Sequence, residues 1–119
     1  MKAQYRVRIK SSSKILSEST KIANSFSTRM IGLLGRKKLN KGEGLLLTKC
    51  NCVHMFFMRF AIDVVFLDKD NTVVYISENL GPWRLSKKVS AARSALEIEA
   101  GKSASLGLLV GDSLLFENA

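Results

Sequence analysis

Only two cysteines occur in this 119-residue chain, and a single residue separates them. That excludes a disulfide framework, which needs several well-spaced pairs, and makes a reducing compartment the expectation. No run of about 18 apolar residues exists, so no transmembrane helix is expected. The opening "MKAQYRVRIK" is basic but no apolar stretch follows it, so no secretory signal is read and a cytoplasmic location is expected. The chain has one histidine, one proline and one tryptophan. No Ser–His–Asp set is suggested by order or context. "GLLGRKK" lacks the glycine spacing of a phosphate-binding loop of either the Walker or the dinucleotide type.

Acidic residues are scarce where the basic ones concentrate. Residues 1–60 hold 13 Lys and Arg against 2 Asp and Glu, whereas residues 61–119 hold 6 against 8. The net charge is +9. A basic half attracts nucleic acid, an anionic surface or an acidic partner, although solubility alone also accounts for it. With 46% hydrophobic residues, the chain suits one domain over residues 1–119 with a genuine core.

Apolar periodicity points to a mainly β protein. "QYRVRIK" alternates, with Tyr5, Val7 and Ile9 on one face. "KILSEST" reads as a short second strand, and a glycine-flanked strand covers about 44–48. Two strands are expected over about 52–58 and 62–67. "IDVVFL" and "TVVYI" flank a tight turn at Asp68–Asn71 and form the strongest hairpin signal, with Asn71 suited to left-handed backbone. "RSALEIEAG" alternates as another strand. Gly107 ends a short helical turn at about 102–107, and "LLVGDSLLFE" supplies a turn and a last strand. "NSFSTRMIGLLGRKKL" changes to helical spacing and predicts one amphipathic helix over about 25–35, with Gly35 as its C-terminal stop. The expected fold is a compact antiparallel β-barrel or jelly-roll-like sandwich with that helix across one open end. "SENLGPWRLSKKVS" reads as a long polar loop that holds the only proline and the only tryptophan.

The candidate chemistry lies in "CNCVHMFFMRFAIDVVFLD", residues 50–68. Cys50, Cys52 and His54 are metal-ligand types. Along a strand, however, Cys50 and His54 stand about 13 Å apart, too far for one zinc unless the chain bends sharply. Cys52 and His54 share a strand face at about 6–7 Å and could act as a thiol–imidazole pair. A cysteine in an apolar run is more often a small core hydrophobe. Arg59 and Asp63 are charges among apolar neighbours and need partners. They could pair with each other. Asp63 could instead take backbone N–H groups, and Arg59 could face a cavity and hold a carboxylate or phosphate. Trp83 either stacks on a ligand at a barrel mouth or folds back as a lid on the core.

Several motifs together resemble one family. "RMIGLLGRKKL", "GEGLLL", "VHMFFMRFAIDVVFLDKDNTVVYI", "LEIEAG" and "LGLLVGD" occur in an order similar to that of the prokaryotic family known as domain of unknown function 192, over about residues 22–117. The resemblance implies a compact β domain with one helix and no established reaction, substrate or cofactor. It maps Gly32, Leu33 and Arg36 onto the helix motif and Glu43 and Gly44 onto the acidic-glycine pair. His54, Met58, Arg59 and Asp63 fall in the central motif, and Pro82 and Trp83 in the loop. Ala61 stands where the family often has proline, Asn71 replaces a turn glycine, and Cys52 is outside the pattern.

The expectation is therefore a monomeric, non-enzymatic β domain without metal or cofactor. It would bind a small polar, anionic or sugar-like ligand near Arg36, His54, Arg59, Asp63 and Trp83. Two alternatives stand beside it: nucleic-acid or anionic-partner binding through the basic N-terminal half, and an enzyme using the His54 region.

Overall fold

The structure, a computed structural model, describes residues 4–23, 39–53, 55 and 59–119. The helix expected over 25–35, Arg36 and His54 lie outside the described residues. Seven strands make one sheet: β1 (Tyr5–Ile9), β2 (Ile15–Ala23), β3 (Glu43–Thr48), β4 (Ile62–Leu67), β5 (Val73–Leu80), β6 (Ser94–Glu99) and β7 (Leu114–Asn118). A four-residue helix, α1 (Lys102–Ser105), precedes β7.

The order across the sheet is β5-β4-β6-β3-β2-β1-β7. Every pairing is antiparallel except β2 with β3, which is parallel. The sheet is therefore mixed but predominantly antiparallel, as expected, with one parallel pair. A parallel neighbour needs a long crossover, and the 19 residues between Ala23 and Glu43 supply one.

The two outer strands meet at one end. Thr72 bridges Ser113, Val73 N–H donates to Asp112 O at 2.8 Å, and Leu114 N–H donates to Asn71 O at 3.0 Å. The sheet thereby curls into a mainly β half-barrel, closed where β5 and β7 begin. All seven strands send residues into the enclosed core, among them Val7, Ile9, Leu16, Leu46, Val65, Leu67, Val73, Leu96, Ile98 and Leu114. The opposite face carries a second core, in which Leu45, Leu47, Ile62, Val64, Phe66 and Ala95 are covered by Leu39, Val53, Met55, Val89 and Ala92. All six residues of β4 are consequently buried, which is why, Asp63 apart, its sequence is an apolar run rather than an alternation.

The β4–β5 hairpin forms where the sequence predicts it. Asp68 Oδ1 accepts the N–H groups of Asp70 and Thr72 at 2.8 and 3.0 Å, and Asn71 takes φ 61°. The strand expected over 52–58 is not seen among its described residues. Cys52, Val53 and Met55 belong to a segment that crosses the outer face, and its backbone groups bond a loop instead of a sheet edge.

Candidate functional site

The crossing segment is laced to the loop that carries Trp83. Cys50 N–H donates to Arg93 O at 3.1 Å, and Val89 N–H to Asn51 O at 2.8 Å. Ser86 N–H donates to Val53 O and Val53 N–H to Ser86 Oγ, both at 2.8 Å. Met55 N–H donates to Arg84 O at 2.8 Å, and Trp83 N–H to Met55 O at 2.7 Å. The two strips run antiparallel. Val53 and Met55, the neighbours of His54 in sequence, are both held against residues 83–86. Two stretches about 30 residues apart in the chain thus form one layer, and its apolar side packs onto the sheet.

The outward side of that layer is cationic. Lys49, Arg59, Arg84, Lys87, Lys88 and Arg93 are all exposed, and residues 49–60 and 81–93 contain no Asp or Glu. The Lys87 ammonium stands 4.9 Å from the Tyr75 ring centre, a cation–π distance. Trp83 is 58% exposed, so its ring does not fold into the core. Its φ is 65°, a left-handed conformation that is unusual for a bulky residue. Such backbone strain persists only where surrounding structure imposes it, and at ligand sites it is common. Here the bonds at Met55 impose it.

Asp63 occupies the other face. Its register partner on β6 is Ile98, a member of the enclosed core, and its side chain is fully buried. Oδ1 accepts Asn79 N–H at 2.8 Å and Gly101 N–H at 3.1 Å. Oδ2 accepts Ser103 N–H at 3.1 Å and Ser103 Oγ–H at 2.6 Å. Of the fates open to Asp63, this is the capture of backbone N–H groups. It ties β5 and α1 to β4. Arg59 is exposed and makes no ion pair with it; the ion pairs among the described residues are Arg6–Glu18 and Arg8–Glu117. Of the five candidates, then, Trp83 and Arg59 are on the exposed surface and Asp63 is enclosed on the far side.

Cys50 is buried and its Sγ–H donates to Cys52 O at 3.0 Å, whereas Cys52 is exposed. Among the described residues no three His, Cys, Asp or Glu side chains come together to hold a metal ion.

Sequence reasoning missed Glu97. β6 aligns it with Leu45 on β3 and Val64 on β4, so it points to the outer core beneath the laced layer. It is 6% exposed, and burial pushes its pKa from an ordinary 4.5 up to about 8. The signal was present in "SALEIE": the alternation puts an acid where neighbouring strands present leucine and valine. It becomes informative only when both faces of the sheet are known to be covered.

These features define a single-domain β half-barrel with a cationic loop layer over one face. The chain belongs to the DUF192 family (uncharacterized ACR, COG1430), which it matches over residues 7–116. A UPF0127 protein of Pyrococcus abyssi is 36% identical over 99 residues, covering 78% of this chain and 81% of that protein. One from Thermococcus sibiricus is 32% identical, covering 91% and 72%. A crystal structure from Sinorhizobium meliloti 1021, described as a candidate transcription regulator, has a TM-score of 0.81 at 27% identity and covers 97% of this chain and 95% of its own. A Novosphingobium aromaticivorans protein of unknown function shares the fold, with a TM-score of 0.80 at 22% identity over 94% and 83% of the two chains.

Proposed function

We propose that this domain is a non-enzymatic binding module for a small anionic ligand, taken up on the laced face. One observation carries the reading: an exposed tryptophan, held in left-handed backbone by a hydrogen bond to Met55, belongs to two laced strips that bear six exposed cations and no carboxylate. Trp83 supplies a stacking surface for a planar ligand, and the Arg84 and Arg59 guanidinium groups supply forked donors for a carboxylate or phosphate. His54 lies in the sequence between two residues bonded to that loop and is a further candidate contact. Asp63 has no part in it, because its four donors and its enclosure assign it to the fold.

A thermal-shift screen of anionic metabolites tests the reading. The wild type is expected to gain stability with at least one planar anion, and Trp83→Ala with Arg84→Ala to lose the gain. A full panel that leaves the wild-type melting point unmoved refutes it.

A second reading, binding of nucleic acid, draws on the same cations and on the description of the Sinorhizobium meliloti relative. It requires affinity for RNA or DNA that falls steeply with salt. Absence of binding at low salt removes it.

A further inference from the structure

Among the described residues, Glu97 is the buried acid that no hydrogen bond or ion pair explains. It stands at the middle of a cross-strand row: Leu45 and Val64 are its direct partners, with Lys21 on β2 and Ser77 on β5 one strand further out. No hydrogen bond or ion pair reaches its carboxyl among the described residues. Asp63 provides the internal contrast. Where this fold buries a carboxylate for structural purposes, it surrounds the oxygens with four donors. The other acids on the face of Glu97 are likewise accounted for: Glu43 Oε1 accepts Asn40 N–H at 2.9 Å and Glu99 Oε1 accepts Gly42 N–H at 3.1 Å.

We propose that Glu97 is the polar floor of the anion site, a neutral carboxylic acid that donates its O–H to an oxygen of the bound ligand. This rests on the anion-binding reading above. The placement supports it: Val53, Met55, Val89 and Ala92 of the laced layer pack into the same cluster as Leu45 and Val64, the two cross-strand partners of Glu97. So does the chemistry. A carboxylate in that position would repel an anion, whereas a protonated acid offers a short, charge-assisted O–H···O⁻ bond and adds no charge. With burial holding the pKa near 8, the acid form prevails at neutral pH. The ligand class is narrowed accordingly to an anion whose carboxylate or phosphate oxygen reaches beneath the rim.

Benzoate is a suitable probe, because its ring can stack on Trp83 and its carboxylate stays ionised from pH 6 to 9. Trp83 is the only tryptophan of the chain, so its fluorescence reports binding directly. Among the described residues, the charged or titratable groups sharing the face are Glu99 on β6, Glu43 on β3, Lys21 on β2, Tyr75 on β5 and Cys50 in the covering segment; β4 contributes none. Variants at Glu97 separate its titration from theirs. Wild-type affinity is expected to fall about tenfold between pH 7 and pH 9, as the acid fraction falls around a midpoint of about 8. Glu97→Gln, which keeps a donor at every pH, is expected to bind with a flat profile. Glu97→Leu is expected to bind about tenfold more weakly at pH 7. A wild-type affinity equal at pH 7 and pH 9, or a Glu97→Leu affinity equal to wild type, overturns the role of Glu97 and leaves the anion site standing. Failure of the wild type to bind benzoate at any pH overturns the anion site and this inference together.

Discussion

Asp63 offers the sharpest test of how the half-barrel is held together. Replacing it with alanine leaves three backbone N–H groups and the Ser103 hydroxyl without their acceptor; the two Ser103 donors are buried, and those of Asn79 and Gly101 are partly buried. At about 1 kcal/mol for each lost bond the cost is about 4 kcal/mol, and donors left dry add to it. A domain of this size has about 5–15 kcal/mol of stability in total, so Asp63→Ala should be folded only marginally. Asp63→Asn is milder. Its amide oxygen can keep the Asn79 and Gly101 N–H groups, but its NH₂ then faces the Ser103 N–H, donor against donor, for a loss of about 2 kcal/mol. Ser103→Ala removes only the 2.6 Å hydroxyl bond and should cost about 1–2 kcal/mol. Urea unfolding followed by far-UV circular dichroism gives the three values, with equal m-values confirming that stability and not the unfolded state has changed. The reasoning is refuted if Asp63→Ala, or Asp63→Asn should the alanine variant not fold, lies within about 0.5 kcal/mol of wild type, a shift typical of exposed positions.

Other outcomes follow from single contacts. Glu97 has a folded-state pKa above its unfolded value, so between pH 4.5 and about 8 the native state binds the extra proton. Stability should fall with rising pH across that window, by at most about 1.4 kcal/mol per pH unit, and level off above it; Glu97→Gln should remove the slope in urea titrations. A Cβ on Gly44 would come within 2.6 Å of Ser17 Oγ and 3.2 Å of Thr20 Oγ1, so Gly44→Ala should lower stability by about 1–3 kcal/mol in thermal unfolding. Thr48 Oγ1 is enclosed without a partner among the described residues, so Thr48→Val should be neutral or stabilise by up to about 1 kcal/mol. Trp83→Gly relieves the left-handed strain and removes a largely exposed ring, so its stability should stay within about 1 kcal/mol of wild type while the response to anions disappears.

Local pattern made most of the strands readable, and the reasons are specific. Tyr5, Val7 and Ile9 alternate because β1 has one face on the enclosed core. "IDVVFL" reads as a strand from its apolar and β-branched run, and β4 spans those six residues, Ile62–Leu67. The Asp68–Asn71 turn follows from residues that make their own hydrogen bonds. By contrast, "CNCVHMFF" has strand composition, yet its described residues Cys50, Val53 and Met55 cover the sheet, because the backbone partners of Cys50, Asn51, Val53 and Met55 come from residues 83–93, which no local pattern indicates. "KILSEST" looked short, but β2 extends to Ala23 because β3 gives it a parallel neighbour at residues 19–23.

The candidate site divides in the same way. Trp83, Arg59 and the surplus of cations were visible as residue types, and the family could be recognised from motif order alone. Composition and periodicity by themselves determined a mainly β domain, its strongest hairpin and its charge asymmetry, since these depend on contacts within a few residues of each other. Tertiary structure alone decided which polar residues are committed to the fold and which are left over. Asp63 and Glu97 are both acids in apolar strands, and nothing in the local sequence separates them. One meets the N–H groups of Asn79, Gly101 and Ser103, and the other meets leucine and valine. That difference arises from partners 16 to 40 residues away for Asp63, and for Glu97 from a loop layer folded across the outer face of the sheet.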